Sequence, residues 1–292
     1  MTAAVRVAAP AKLNLYLHVL GRRDDGYHLI DSLIAFASVH DTVTAEPAGE
    51  LSLALRGPFG AALAREGDNL VLRAARLLAQ ELALEPRAAL TLEKRLPLAS
   101  GLGGGSADAA AALKALQQLW GKALDERRLM GLALALGADV PMCLFGRAAF
   151  AGGVGEELTP APALPSVALL LVHPGAALAT ASVFRARAGS FSRAARFADR
   201  PRDAAALAGL LATRRNELSA AAEQLCPAIT EILAALGAQP GCLLARMSGS
   251  GATCFGLFAE RAAAAAAARA LARPGWWVEA AELVADATAL TP

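Results

Sequence analysis

Residues 96–110 read LPLASGLGGGSADAA, four glycines and two serines set between a β-like run, AALTLEKRL (88–96), and an alanine-rich helical one. Glycines let backbone amides converge on an oxyanion with no Cβ in the way, and a following helix adds its unpaired N–H groups and positive dipole end. A tight turn needs one or two glycines, whereas Gly101, Gly103, Gly104 and Gly105 crowd together, so a phosphate cradle is the stronger reading. No lysine follows the last glycine, as a Walker loop requires, and Ser106 stands where a dinucleotide fingerprint needs its third glycine or alanine. That fingerprint also usually opens its domain, while strand and helix patterns precede this loop. A dinucleotide-dependent oxidoreductase is therefore disfavoured.

Upstream, VRVAAPAKLNLYLHVLG (5–21) alternates around Pro10 and predicts two short strands; RRDDGYH begins a loop before the apolar pattern resumes, and DTVTAEPAGELSLAL (41–55) is strand-like again. Apolar residues at 70, 71, 74, 77, 78 and 82 predict one buried helix face, capped by Asp68 or Asn69. Downstream, Ser106–Leu119 predicts a helix and DERRLMGLALAL (125–136) a second, which Gly137 can end through a left-handed cap, leaving Asp139 just past it. MCLFGRAAFAGG (142–153) reads as strand, and the proline-bearing LTPAPALP (158–165) as a linker, with the domain boundary near Pro160. The second half begins with a strand, VALLLVH (167–173), followed by a polar, arginine-rich middle. Helix-like segments then run over 204–237, and two strands hinge at a glycine turn, CLLARMSGSGATCFGLFA (242–259). An alanine helix from Glu260 and a final strand, WWVEAAELV, close it.

The 292 residues make two domains a better prior than one, and 28 basic against 26 acidic side chains leave no broad electrostatic footprint for a nucleic acid. A small-molecule partner is expected, with no nucleic acid and no membrane. The charge-free stretch 158–184 is cut by Pro160, Pro162, Pro165 and Pro174, leaving only a strand-length apolar run. Asn14 and His18 interrupt the N-terminal apolar run and Gly21-Arg22-Arg23 follows it, which does not suit a secretory signal. A cytoplasmic protein is expected. The four scattered cysteines and four single histidines form no metal-ligand spacing and predict buried thiols and no structural zinc.

Together with PAKLNLYL (10–17), GADVP (137–141) and SGSGATCFG (248–256), the glycine loop closely resembles the signature set of the GHMP kinase superfamily, with all motifs in order over most of the chain. The resemblance implies an α/β (α+β) two-domain fold with its active site in the interdomain cleft: residues 1–160 as the ATP-binding domain and 161–292 as the C-terminal domain. It implies ATP as donor and Mg²⁺ as cofactor. The most specific segment, PAKLNLYLHVLGRRDDGYH (10–28), is shared with the superfamily's isoprenoid branch. It implies as acceptor the C2 hydroxyl of 4-diphosphocytidyl-2-C-methyl-D-erythritol, on the non-mevalonate route to isoprenoids.

Residue by residue, Pro97, Leu98, Ala99, Ser100, Gly101, Leu102, Gly103, Gly104, Gly105, Ser106 and Ala107 match the family's ATP loop, with Ala99-Ser100 in place of the more usual glycines and Ala107 in place of a common serine. Ser106 is the hydroxyl expected near a phosphate or Mg²⁺; Asn69 and Lys94 are expected near the adenosine. Asp139 matches the catalytic aspartate. A tertiary alcohol is a poor nucleophile while protonated, and a carboxylate in hydrogen-bond reach can orient it and accept its proton. Read alone, Asp139 could equally cap a turn. Lys12 matches its paired lysine, whose charge can keep the base ionised and offset the transferring phosphoryl group. For the cytidine end the resemblance implies that Tyr27 and Phe184 sandwich the base while His28 reads its edge, with Asn14 and Thr180 on substrate polar groups. The remaining readings are another small-alcohol kinase of the superfamily, of homoserine or mevalonate type, and a nucleotide-binding module without turnover.

Overall fold

The computed structural model describes residues 4–65, 67 and 69–292. Two long strands form its spine. β1 (Val5–Arg22) and β2 (His28–Glu46) pair antiparallel along almost their whole length, and their alternating buried positions feed separate cores on the two faces. β1 is one strand where two were expected. Register shifts between Pro10 and Lys12, Asn14 and Tyr16, and Val19 and Gly21 absorb the proline and bend the strand without ending it. The bend carries Lys12 and Asn14 beneath the glycine loop.

On the edge of β2 away from β1, β4 (Ala88–Glu93), with β3 (Leu51–Arg56) beyond it, pairs with the C-terminal end of β2, and β5 (Ala149–Gly152), with β6 (Glu157–Pro160) beyond it, with the N-terminal half. After the single-turn α1 (Gly60–Leu63), α2 (Leu70–Glu81) and α3 (Gly104–Trp120) pack against this sheet. α2 turns Val71, Ala74, Ala75 and Leu78 inward, the face expected from the spacing, and Asn69 is its N-cap, accepting from Val71 N–H at 2.9 Å. The other cap candidate, Asp68, lies outside the described residues. Alanines along α3 let it press close to β1 and β2, so the loop that precedes it is held over the strands.

Near Asp139 the structure differs from the sequence expectation. Gly137 adopts φ 163°, ψ 154°, extended backbone and not a left-handed cap, after α4 (Glu126–Leu136). The chain then re-enters a helix, α5 (Val140–Phe145), with Pro141 in its first turn, so Met142–Phe145 are helical and not strand. The expected linker also begins in a strand: Leu158, Thr159 and Pro160 pair with β5, and the chain leaves the sheet only from residue 161.

The remaining strands are β7 (Ala168–His173), β8 (Cys242–Met247), β9 (Cys254–Phe258) and β10 (Trp277–Val284), in the order β10-β7-β9-β8. β10 also touches β2 through Leu283–Ala37 and Val284–Phe36, which joins the two sheets edge to edge. α9 (Ala228–Gly237) and α10 (Arg261–Leu271) cover the second sheet, α7 (Ala204–Ala212) packs on β8 and β9, and α8 (Ser219–Leu225) packs on α9. The polar middle contains an unexpected helix, α6 (Thr180–Ala186). Cys143 and Cys254 are buried as expected, but Cys226 and Cys242 are half-buried; all four are free. No described helix is long and apolar enough to cross a membrane.

Candidate active site

The loop between β4 and α3 alternates left-handed positions, with φ +47° at Ala99, +77° at Gly101 and +63° at Gly103. Glycine tolerates these angles freely; Ala99 holds one at a cost of about 1 kcal/mol. Gly103 is the N-cap of α3 and offers no side chain, so the first amides of the helix are left for a ligand. A Cβ on Gly103 would sit 3.0 Å from Lys12 Cε, and one on Gly101 would meet Gly251 O at 2.6 Å and Ser248 O at 2.7 Å. The close approach that the glycines permit is thus twofold: to β1 below and to the β8–β9 turn beside them.

That turn is bonded to the loop. Thr253 N–H donates to Ser100 O at 3.0 Å, Ser248 Oγ donates to Gly101 O at 3.1 Å, and Asn14 N–H donates to Ser248 Oγ at 3.2 Å. Asn216 Nδ2 donates to Met247 O and Gly249 O, both at 2.8 Å. The second glycine motif therefore buttresses the first, and only Gly249 and Ser250 reach the cavity wall.

Beneath the loop, Lys94 Nζ lies 2.5 Å from Asp41 Oδ2 and 2.7 Å from Asp108 Oδ2, all three side chains at most 3% exposed. Burial alone would lower the lysine; the two carboxylates overcome it and raise Lys94 above its usual value. Asp41 Oδ1 accepts the N–H groups of Arg95 and Leu96 at 2.5 and 2.8 Å, fixing the start of the loop, while Asp108 belongs to the second turn of α3. Burial pushes the Asp108 carboxyl up, Lys94 notwithstanding. Lys94, expected near adenosine, lines the cavity but is committed to these ion pairs.

Across the loop, Lys12 Nζ lies 3.1 Å from Asp139 Oδ2. Asp139 precedes α5 but makes no side-chain capping bond, so the carboxylate is not spent on the turn. It is 41% exposed, against 5% for Lys12. Lys12 Nζ donates to Asn14 Oδ1 at 2.9 Å, Asn14 Nδ2 donates to Ser32 Oγ at 2.8 Å, and Ser32 Oγ donates to Tyr16 O at 2.5 Å. Both ends of the Asn14 amide are held internally, which fixes Lys12 on the Asp139 side.

A cavity of about 1130 Å³ joins these groups. Its wall includes Lys12, Asn14, Tyr27, His28, Lys94, Asp139, Thr180 and Phe184, and from the loop Pro97, Leu98, Ala99, Ser100, Gly101, Gly103, Gly104, Gly105 and Ser106. Three expected residues do not line it. Leu102 and Ala107 are buried in the core, and Asn69 is the α2 cap, with its neighbour Leu70 in the wall instead. At the far end Phe184 stacks on His28, centroids 5.0 Å apart and planes at 26°, while Tyr27 is 62% exposed. Thr180 Oγ1 is hydrogen-bonded to Ser250 Oγ at 2.8 Å. Burial, then Arg22 and Arg187, push His28 below its usual 6.5.

The donors suit a hard divalent cation held with substrate phosphates. Among the described residues no cluster of three carboxylates, histidines or cysteines exists. Mg²⁺ commonly takes only one or two carboxylates beside phosphate oxygens and water, and the Ser106 hydroxyl and the buried, unpartnered Asp108 Oδ1 belong to the same stretch of wall.

The GHMP kinases N terminal domain model matches residues 69–147 and the GHMP kinases C terminal model residues 198–275. The chain belongs to the GHMP kinase family. Among curated relatives of this GHMP kinase, 4-diphosphocytidyl-2-C-methyl-D-erythritol kinase of Paramagnetospirillum magneticum is 54% identical over 95% of this chain and 98% of its own. That of Rhodospirillum rubrum is 53% identical over 98% and 94%. A crystal structure titled 4-(cytidine 5'-diphospho)-2C-methyl-D-erythritol kinase superposes with a TM-score of 0.78 at 38% identity, covering 95% of this chain and 98% of that one. Homoserine kinase from Cytophaga hutchinsonii shares the fold, with a TM-score of 0.73 at 18% identity over 98% and 96%.

Some of what builds this GHMP kinase site escaped the sequence reading: Asp41, Ser32 and Asn216 act from distant segments and carry no local signal. Asp108 did carry one, an acidic residue one turn into the helix after a phosphate loop. The arginine-rich middle was visible too, and it delivers Arg185 and Arg187 to the wall, opposite Arg22 from the end of β1.

Proposed function

We propose that this kinase transfers the γ-phosphoryl group of ATP to the C2 hydroxyl of 4-diphosphocytidyl-2-C-methyl-D-erythritol, a step of non-mevalonate isoprenoid precursor synthesis. The Lys12–Asp139 pair, in one cavity with the glycine loop, is the observation that carries the chemistry. The names of relatives at 53–54% identity support the acceptor.

Residues 1–160 hold ATP. The amides at the start of α3 receive its phosphates, and Leu63 and Leu70 offer an apolar wall for adenine. Residues 161–292 bring α6 and the β8–β9 turn to the acceptor. Asp139 accepts the hydroxyl proton as the oxygen engages phosphorus; its half-exposed carboxylate is open to an alcohol in the cavity. Lys12, fixed by Asn14, holds a positive charge beside both the base and the phosphoryl group in transit. Ser106 would hold Mg²⁺, which when bound supplies charge neutralisation between donor phosphates. Phe184 and Tyr27 supply ring faces for the cytosine, and His28, neutral at pH 7, offers one donor and one acceptor to its edge. The cavity exceeds the usual single-ligand range of roughly 300–1,000 Å³, which suits two substrates at once. Four free cysteines suit a reducing, cytoplasmic setting.

The test is Mg²⁺-dependent ADP release with 4-diphosphocytidyl-methylerythritol, homoserine, mevalonate or no acceptor. Release with the first alone supports the reading; release with another alcohol keeps the family and removes the roles of Tyr27, His28 and Phe184.

A further inference from the structure

The hydrogen bonds behind the Lys12–Asp139 pair run in one direction. Ser32, buried on β2, donates its single hydroxyl proton to Tyr16 O at 2.5 Å. Tyr16 follows the register shift that begins at Asn14, where a carbonyl of β1 is left to a side chain. A backbone carbonyl can only accept, so the proton of Ser32 is committed and its oxygen accepts in turn, from Asn14 Nδ2 at 2.8 Å. The amide is thereby held with its oxygen on Lys12 Nζ, 2.9 Å away.

The reversed amide is opposed at both ends. Its NH2 group would face the ammonium, donor against donor, and Ser32 would have to turn its proton to Asn14 and leave Tyr16 O unpaired in a buried strand. The backbone on either side is fixed as well. Lys12 N–H donates to Leu102 O at 2.8 Å, and Asn14 N–H donates to Ser248 Oγ, which itself donates to Gly101 O. An ammonium carries three N–H groups. One is on Asn14, one faces Asp139 Oδ2 at 3.1 Å, and the last is left for a ligand in the cavity that Lys12 lines.

We propose that Ser32 is a positioning residue for phosphoryl transfer: it sets the sense of the Asn14 amide, and through that amide the point from which Lys12 serves the phosphoryl group. The inference rests on the role proposed above for Lys12 and adds the group that orients the lysine. Ser32 is not in the cavity wall, so its effect reaches the reaction only through Asn14 and Lys12. A group that aims a charge at the phosphoryl group in transit, and touches neither substrate, governs turnover and leaves substrate binding alone.

The test is a double-mutant cycle on the full chain, read as steady-state kcat and KM for both substrates. Ser32→Ala should lower kcat about 10-fold, the loss expected of one hydrogen bond to a charged group, with both KM values within about twofold of wild type. Ser32→Thr keeps the hydroxyl and suits a strand, and should return kcat to within about twofold of wild type. In Asn14→Asp both side-chain oxygens accept, so no amide sense is left to set, and adding Ser32→Ala should lower kcat by less than about twofold further. If Ser32→Ala does not fold, Ser32→Cys, with its weak S–H donor, replaces it in the cycle. Unchanged kcat in the Ser32 variant, an equal loss in both backgrounds, a rise in KM without a fall in kcat, or no recovery in Ser32→Thr overturns the inference while the wild-type reaction stands. A wild type that turns over no alcohol removes the function on which the inference rests.

Discussion

Lys12 Nζ stands 3.1 Å from Asp139 Oδ2, with the lysine buried and the carboxylate open to the cavity. The asymmetry suits the two proposed roles: a fixed charge behind, a reactive oxygen in front. Asp139→Asn keeps the shape and removes the proposed proton acceptor. We expect turnover to fall about 10²–10⁴-fold, the usual worth of a positioned acid–base group, with KM for ATP little changed. Steady-state kinetics on the folded variant check this; near-normal turnover would remove Asp139 from the base role.

Gly101 and Gly105 lie in the same loop and should respond oppositely to alanine. At Gly101 a Cβ would overlap two carbonyl oxygens at 2.6 and 2.7 Å in a left-handed backbone, so Gly101→Ala must part the two glycine motifs. A loss of about 2 kcal/mol or more in thermal or denaturant unfolding is expected. At Gly105 the nearest atom is a flexible leucine methyl 3.6 Å away and the residue is helical, so Gly105→Ala should be neutral or stabilise by up to about 1 kcal/mol. Equal destabilisation of both variants would contradict this division.

The buried Lys94 holds two carboxylates together under the loop. Lys94→Met leaves them facing each other without a cation, and breaking a buried pair in this way costs about 3–5 kcal/mol. Denaturant unfolding gives the number directly. A loss below about 1 kcal/mol would mean that the pair is not buried in solution as the structure shows it.

These positions also mark what the sequence could disclose. The glycine loop, the GADVP aspartate and the α2 face were legible because each is local: a run of glycines, a motif, a period of apolar residues. The single bent β1 was not, since Pro10 ordinarily ends a strand and only pairing with β2 shows that bulges absorb it. α5 was missed because Met142–Phe145 are apolar throughout, a pattern that strand and buried helix share. Lys94 looked available to a nucleotide; its two partners come from β2 and α3, and no spacing announces such a contact. The Asn14 amide, expected on the substrate, is held by Lys12 and Ser32 for the same reason.

His28 gives a pH signature. Burial, then Arg22 and Arg187, hold it below 6.5, so the neutral ring persists through neutral pH and the proton is taken up only in more acid solution. A neutral imidazole can accept as well as donate, and protonation removes the acceptor. KM for the cytidyl acceptor should be flat from pH 8 down to 6.5 and rise below it, while KM for ATP does not follow. A rise already complete at pH 7 would contradict a depressed His28.

The most direct measurement is where the phosphate goes. Wild-type protein, ATP, Mg²⁺ and 4-diphosphocytidyl-methylerythritol should give ADP and one product. Phosphorus NMR and mass analysis should show the diphosphate bridge intact and a single new phosphomonoester on the C2 oxygen. A new phosphate on any other hydroxyl, or ATP turnover without an acceptor product, would contradict the account.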